Sequence, residues 1–427
     1  MKTVTVIGLG YVGLPLLSLI ASTKGYDCYG VDIDKKKLNL IKTKQLTFND
    51  KIVQDFYEEY KSPLQVTDST REVISKSDIV IICVPTPVTK NFEPDFSPLI
   101  SATESILPDL KKGHLIIVES TIYPGTTEEI VLPILERSGL VGGVDFYIAH
   151  CPERIDPGNK KWYLKNIPRV CGALSTKGLE LTVKFYNSIL ECKIFPLSSV
   201  KVAEACKVIE NSFRDINIAF VNELAMSFDK IGIDVYEAIK GASTKPFAFL
   251  PHYPGTGVGG HCIPVDPYYL IKKAADMGFD HEFLRTARKI NNHMPYYCVK
   301  LLEELIEESK IPISQQTVGL MGIAFKKNID DVRNSPYFII KSELESKGIR
   351  VASFDPNVKE LSNVETIDDL ILESRFLILI TEHEEFLSIS PKELKINGII
   401  GVVDGRNIYN KNEFKKSGLL YRGIGRR

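Results

Sequence analysis

A β-branched run, Thr3 to Leu9, breaks into Gly8-Leu9-Gly10-Tyr11-Val12-Gly13 and resumes as an apolar helical pattern through Ala21. Strand, glycine turn and helix in that order admit few folds. Gly8 makes the tight turn, Gly10 leaves room for a pyrophosphate against the backbone, and Gly13 lets helix and strand pack closely. Asp32 lies nineteen residues beyond Gly13, at the end of the next strand-like run, Cys28 to Ile33. An acid there accepts hydrogen bonds from ribose hydroxyls, and the absence of an Arg directly after it favours NAD over NADP. The expected cofactor set is Gly8, Gly10, Tyr11, Val12, Gly13 and Asp32. Of the three lysines that follow, Lys37 is placed in that set, with a solvated helix start as the competing reading for all three. A structural glycine turn is the alternative for the whole motif.

The alternation continues, with strand-like runs at Ile79 to Val84, Leu115 to Glu119 and Phe146 to Ala149. Strands separated by helical patterns predict βαβ units and a parallel sheet covered on both faces, a Rossmann-like α/β domain over 1–198. From about Ser199 to Lys230 there is no Pro or Gly, which predicts a single helix about 45 Å long. That length suits a helix that bridges domains or supports a dimer. A turn-rich stretch, Pro251 to Pro267, follows, and helical patterns resume from Tyr268 to Ser309, so 199–308 reads as a central long-helix region. The α/β pattern then returns over 309–427. Strands are expected at Thr317 to Phe325, Arg350 to Phe354, Phe376 to Ile380 and Ile399 to Val403, and Ser335-Pro336 fits a helix start. The sequence carries no clear internal repeat.

Composition removes several classes. Lys and Arg number 53 against 54 Asp and Glu, so the chain lacks the basic field a nucleic-acid binder needs. No apolar run approaches the eighteen or so residues that span a membrane. Three glycines interrupt the N-terminal apolar stretch and no small-residue cleavage site follows, which argues against a signal peptide. Eight scattered cysteines without a CxxC pair make neither a disulfide framework nor a zinc site. A cytoplasmic enzyme with reduced thiols and no metal is expected.

Chemistry is sought at strand ends and turns. Pro85-Thr86-Pro87 and Glu119-Ser120-Thr121 end two strands, the height at which ligands bind a doubly wound sheet. Cys262 follows Gly259-Gly260 in the turn-rich stretch, exposed enough to serve as a nucleophile, although a buried small hydrophobe is the usual fate of a cysteine. Adjacent residues rarely face one another, so His261 is not expected to pair with it. Lys207 and Asn211 share a helix face, with Glu204 close by, and together could hold an oxyanion; an ordinary surface stripe has the same spacing. Phe325-Lys326-Lys327 and Asp404-Gly405-Arg406 follow strands of the last domain. They suit a phosphate-bearing ligand or plain surface charge equally.

Taken together, VIGLGYVGLP at 6–15, CVPTP at 83–87, ESTIYPGTT at 119–127, CPER at 151–154, EACKVIENSF at 204–213, GGHCIPVDP at 259–267, GIAFKK at 322–327 and DGR at 404–406 resemble the UDP-glucose/GDP-mannose dehydrogenase family. The resemblance spans essentially the whole chain. It implies a four-electron oxidation at C6 of a nucleotide sugar with two NAD+ per substrate. Cys262 then matches the nucleophile that passes through a thiohemiacetal and a thioester. Lys207 and Asn211 match oxyanion stabilisers, Asp266 a residue that organises water and the lysine, and Glu153 an acid in thioester hydrolysis. Thr121 matches a residue near nicotinamide and water, with Thr86 beside it in the cofactor set. The implied substrate contacts are Glu153, Arg154, Lys207, Asn211, Tyr253, Gly259, Phe325, Lys326 and Arg406, the last three in the domain that takes the UDP end.

The run Cys151-Pro152-Glu153-Arg154-Ile155-Asp156-Pro157-Gly158, with HCIPVDPYY and Ile290-Asn291-Asn292-His293-Met294-Pro295, resembles the N-acetylhexosamine branch. UDP-N-acetylglucosamine is favoured there over UDP-N-acetylmannosamine or UDP-glucose. A homodimer or larger homo-oligomer and a part in polysaccharide precursor supply are also implied. Two other classes stay in view. A two-electron β-hydroxyacid dehydrogenase would need no cysteine and no third domain, and a silent nucleotide-sugar sensor would bind both ligands without forming NADH.

Overall fold

The run that opens the chain forms strand β1 (Lys2–Ile7), and the residues after it bend at Gly8, whose φ of +92° is strained for any residue with a Cβ. The computed structural model describes residues 1–427 apart from 49, 90, 156–158, 160 and 313–315. Asp156, Pro157 and Gly158 of the branch motif therefore lie outside the described residues. The chain divides into two compact units, 1–210 with 268–280, and 211–267 with 281–427.

In the first unit β1 is followed by α1 (Gly13–Ser22), β2 (Tyr26–Val31), α2 (Lys35–Lys42), α3 (Lys51–Glu59), β3 (Val66–Thr67), β4 (Ile79–Ile82), α4 (Ser97–Ile106), β5 (Leu115–Val118), α5 (Leu132–Glu136), β6 (Tyr147–His150), β7 (Arg169–Ala173), α6 (Thr176–Ile189) and β8 (Ile194–Pro196). The strands form one sheet in the order β3-β2-β1-β4-β5-β6-β7-β8. The order reverses between β1 and β4, the switch point at which a doubly wound sheet opens a crevice. All four residues of β4 and of β5 are buried, as strands covered on both faces require. Two apolar cores flank the sheet, one around Leu14, Leu17, Phe56 and Phe185, the other around Ile82, Leu99, Ile116 and Phe146.

The sheet is not uniformly parallel: β7 runs antiparallel to β6, with His150 opposite Gly172. Neither β7 nor β8 is among the separate strands expected from the sequence. The expected strands here also end earlier, β4 at Ile82 and β5 at Val118, because the chain turns toward the crevice at Cys83 and Glu119.

Helix α7 (Val200–Ile231) is 32 residues long, about 48 Å, as the Gly- and Pro-free run predicts. Its first turns belong to the first unit and the rest to the second. The second unit continues with α8 (Val235–Ala242), the head of α9 (Asp266–Asp276), α10 (Glu282–Ser309), β9 (Thr317–Met321), α11 (Pro336–Ser346), β10 (Arg350–Phe354), α12 (Ile367–Glu373), β11 (Phe376–Leu379), α13 (Pro391–Ile396), β12 (Gly401–Asp404), α14 (Lys411–Lys416) and β13 (Leu420–Gly423). The helical patterns expected from Tyr268 to Ser309 form two helices, parted at Gly278, whose φ is +85°. Strand β9 ends at Met321 rather than Phe325 because Gly322 turns at φ +97°.

The five strands of this unit are all parallel, in the order β10-β9-β11-β12-β13. Both sheets share one clamp. The Gly8 N–H donates to the Val31 carbonyl and the Leu9 N–H to Asp32 Oδ2; the Gly322 N–H donates to the Phe354 carbonyl and the Ile323 N–H to Asp355 Oδ2. Among the described residues no helix is long and apolar enough to cross a membrane. All eight cysteines are free thiols.

Glu204, on the first turns of α7, accepts the N–H groups of Gly125 (2.5 Å) and Thr127 (2.9 Å) and so pins the loop after β5. Its carboxyl is fully buried, and burial pushes its pKa from 4.5 up to about 7, against the pull of those hydrogen bonds. A carboxyl raised on folding contributes stability that is complete below pH 4.5 and lost as pH rises through about 7. The shift corresponds to about 3 kcal/mol. Urea unfolding at pH 5 and pH 8 should therefore show a pH-dependent loss that is smaller by about this amount in Glu204→Gln. Equal losses in the two proteins would remove the carboxyl as its source.

Candidate active site

The first unit carries the geometry of a dinucleotide turn. A Cβ on Gly13 would lie 1.9 Å from the Gly8 carbonyl oxygen and one on Gly8 would lie 2.7 Å from that of Cys83, so both positions must be glycine. Gly10 instead faces open space, with nothing within 4 Å of where its Cβ would be. Val12 is the N-cap of α1 and gives no side-chain cap, and the first turn holds no acid. Uncapped N–H donors beside an open backbone position fit the pyrophosphate of NAD. Tyr11 stacks beside Phe48, with ring centroids 4.3 Å apart.

Asp32 accepts from the Leu9 N–H (2.8 Å), the Asp34 N–H (2.9 Å) and Lys37 Nζ (2.7 Å). Burial alone would raise its pKa, but Lys37 and the backbone donors hold it below the usual range. Oδ2 takes both Leu9 and Lys37, whereas Oδ1 takes the Asp34 N–H and has room for a second donor, so a ribose hydroxyl fits there. Lys37 thus pairs with Asp32 rather than standing as bare solvated charge. Lys35 reaches Asp68 at the surface.

The loops after β4 and β5 meet, as their height in the sheet predicts. Thr86 Oγ1 donates to the Thr121 carbonyl (2.6 Å), Ser120 Oγ to the Val84 carbonyl (2.7 Å), and the Tyr269 hydroxyl to the Thr86 carbonyl. Glu153 is held on all sides. Its Oε1 accepts the N–H groups of Arg154 (2.6 Å) and Ile155 (2.8 Å), and its Oε2 pairs with Arg169. Arg169 is completely buried and also reaches Glu119 (3.2 Å), which accepts from the Tyr186 hydroxyl. Burial pushes Glu119 and Tyr186 up. It also works against the Arg169 charge, which the two carboxylates more than restore. Sequence reasoning missed Arg169: it stands sixteen residues beyond Glu153 at the start of a strand, and no local motif joins the two.

Arg154 pairs with Glu210 (2.5 Å) and donates to the Pro168 carbonyl (2.8 Å). Lys207 is buried on α7, facing His150 at the end of β6. His150 is fully buried with neither ring nitrogen hydrogen-bonded among the described residues, and burial lowers its pKa to about 3, so it is neutral.

In the second unit the glycine loop is built against the smaller sheet. The Gly260 N–H donates to the Arg333 carbonyl (2.8 Å), and Asn334 Nδ2 donates to the Gly260 carbonyl (2.9 Å). Cβ atoms at Gly259 and Gly260 would fall 2.5 and 2.9 Å from Phe325, which explains the glycine pair. The Cys262 carbonyl accepts the N–H groups of Val265 (3.0 Å) and Asp266 (2.8 Å), so the thiol sits one turn before α9. Asn211 Nδ2 donates to Asp266 Oδ2, bringing together two residues expected in the site.

The expectation that Cys262 and His261 would not meet is overturned. Cys262 Sγ lies 3.0 Å from His261 Nδ1. The rule that neighbours diverge holds for strands and helices, whereas these two residues lie in the bend between Gly260, at φ +89°, and the turn into α9.

Further back, Gly255 N–H donates to Asn222 Oδ1 (3.0 Å), Asn222 Nδ2 to Asn291 Oδ1 (2.9 Å), and Asn291 Nδ2 to Asp215 Oδ1 (2.8 Å), which also holds Arg288 (2.6 Å). The branch motif at 290–295 thus supports the glycine loop. Tyr253 packs on Tyr236, with ring centroids 4.5 Å apart. Arg406 pairs with Glu382 (2.6 Å) next to Gly255, and Lys326 follows Phe325 in the turn after β9.

Comparison with known proteins agrees with this division of labour. Residues 2–190 match the NAD binding domain of the UDP-glucose/GDP-mannose dehydrogenase family, 201–293 its central domain and 319–411 its UDP binding domain. The chain is 36% identical to a UDP-N-acetyl-D-mannosamine dehydrogenase of Pyrococcus horikoshii over 99% of both chains. It is 40% identical to a UDP-N-acetyl-D-glucosamine 6-dehydrogenase of Pseudomonas aeruginosa over 83% of this chain and 82% of the other. A solved structure of a UDP-D-ManNAc dehydrogenase from Pyrococcus horikoshii superimposes with a TM-score of 0.92, covering 100% of this chain and 99% of that one. With an NAD-fitting turn, a UDP binding domain and full-length relatives of one kind, the chain belongs to the UDP-glucose/GDP-mannose dehydrogenase family of NAD-dependent UDP-sugar dehydrogenases.

Proposed function

We propose that the protein oxidises C6 of a UDP-N-acetylhexosamine from alcohol to carboxylate, with Cys262 as the covalent nucleophile. The observation that carries this reading is the thiol itself, set in a glycine loop beside a base and one turn ahead of a helix. A two-electron hydroxyacid dehydrogenase needs no such group. NAD supplies a hydride acceptor for each of the two oxidations. Covalent capture keeps the intermediate aldehyde from hydrating or leaving before the second one.

Lys207 and Asn211, one turn apart on α7, stabilise the oxyanions, and Asp266 fixes the Asn211 amide. Thr86 and Thr121 shape the loops at the nicotinamide end. Arg169 holds Glu153 in one orientation, so Glu153 works by ordering the water for thioester hydrolysis. Phe325, Lys326 and Arg406 take the UDP end, with Tyr253, Gly259 and Arg154 as further substrate contacts.

UDP-N-acetylglucosamine is the proposed sugar, supported by the 40% identity to a dehydrogenase of that name. UDP-N-acetylmannosamine is the second reading, favoured by the full-length relatives. A role in supplying polysaccharide precursors follows from either.

The exposed apolar residues Val202, Ile209, Phe213 and Phe220 repeat along α7 at intervals of seven, four and seven, one face of a helix. That stripe is the proposed contact of a homodimer. Light scattering should give a dimer for the native chain and a monomer for the double variant Phe213→Glu, Phe220→Glu. A monomeric native chain would remove the proposal.

The reaction itself is tested by stoichiometry. Two NADH should form per UDP-N-acetylglucosamine consumed, with slower turnover of UDP-N-acetylmannosamine and UDP-glucose run beside it. Preference for the manno epimer would transfer the assignment to that sugar. Cys262→Ser should yield no uronic acid and at most one NADH per sugar; unchanged turnover would return the protein to the hydroxyacid class.

A further inference from the structure

The pairing of Cys262 with the residue beside it assigns His261 a part that goes deeper than the covalent reading, and rests on it. We propose that His261 is the acid–base partner of the Cys262 thiol, with Asp331 holding the imidazolium. Three observations within the second unit carry the argument. Cys262 Sγ lies 3.0 Å from His261 Nδ1 and 4.0 Å from Nε2, so Nδ1 is the nitrogen that can take the thiol proton. The loop is fixed rather than free to swing, because Gly260 is bonded to Arg333 and Asn334 and packed on Phe325. Asp331 faces the imidazole electrostatically while its carboxylate is gripped by Arg333.

Asp331 and Arg333 form an internal pair on the 325–336 segment, Lys326 lies beside Phe325, and Asp266 heads α9 with its carboxylate on Asn211. The N-terminus of α9 adds a field that favours a thiolate.

The proton accounts balance at both covalent steps. On capture, the thiol proton moves to Nδ1 and the sulfur lone pair forms the bond to C6 of the aldehyde. The carbonyl π pair moves to oxygen, which takes the proton back from Nδ1. On release, water adds to the thioester and gives up a proton to Nδ1. The C–S bond then breaks with its electron pair on sulfur, and that proton returns to the thiolate. Lys207 and Asn211 stabilise the oxygen, whereas His261 serves the sulfur, a task that nothing in the oxyanion set covers.

The test is the rate of iodoacetamide labelling of the Cys262 peptide in the full chain, followed by mass spectrometry from pH 5.5 to 9.5. The native protein should label with an apparent pKa well below the ordinary thiol value of about 8.5. His261→Ala should restore that ordinary value and slow labelling at pH 6.5 at least tenfold. Asp331→Asn, which leaves both loop residues intact, should shift the profile in the same direction by less. In turnover His261→Ala should lower kcat about a hundredfold at pH 7 with KM for the UDP-sugar unchanged, and recover in part at pH 9. A native profile near the free-thiol value overturns the proposal without any variant. So does a superimposable profile in a folded His261→Ala protein. Failure of the covalent reading looks different: Cys262→Ser would still make the uronic acid, whatever the labelling profile.

Discussion

Each sheet of this protein hangs on one carboxylate that ends its second strand and takes the N–H of the turn leaving its first. Asp32 holds Leu9, and Asp355 holds Ile323 and Ala324. The clamp fixes a glycine at positive φ and with it the direction in which the following chain leaves the sheet. The two clamps differ in what they leave open. Asp32 shares its carboxylate with a lysine on a half-exposed chain, beside a glycine that faces empty space. Asp355 is sealed under His383, both of them buried, so its carboxylate is closed to a ribose. The positions that are Gly10 and Gly13 in the first turn are Ala324 and Lys327 in the second. One architecture therefore serves a dinucleotide in one unit and a different ligand end in the other.

Arg169 is the second organising group. A guanidinium without solvent is stable only when its partners are excellent, and here two carboxylates and a ring face surround it. Those carboxylates stand just beyond β5 and β6, and the arginine opens β7, so the cluster also anchors the antiparallel strand. Glu153 is thereby kept where thermal motion cannot rotate it.

The glycine turn, Asp32 and the long helix were legible because each is a local rule written in consecutive residues. The domain order was legible from alternating strand and helix periods. What escaped was non-local or irregular. Strands β7 and β8 are short, and β7 runs against its neighbour, so no βαβ rhythm announces them. Arg169, His150 and Asn222 act through partners distant in the chain. The two carboxylate clamps share little beyond a glycine and an acid, too sparse for a repeat to show. The meeting of His261 and Cys262 was missed for the opposite reason: a rule valid for regular elements was carried into a bend.

The glycine pair before the thiol has a wider reach. Because Gly259 and Gly260 rest directly on Phe325, any side chain added to that loop displaces the aromatic ring at the head of the UDP binding domain. The turn near the start of the UDP binding domain and the floor beneath the Cys262 loop are one surface. Drift in either segment is felt in both, so a library that varies residue 325 would have to vary residues 259–260 with it.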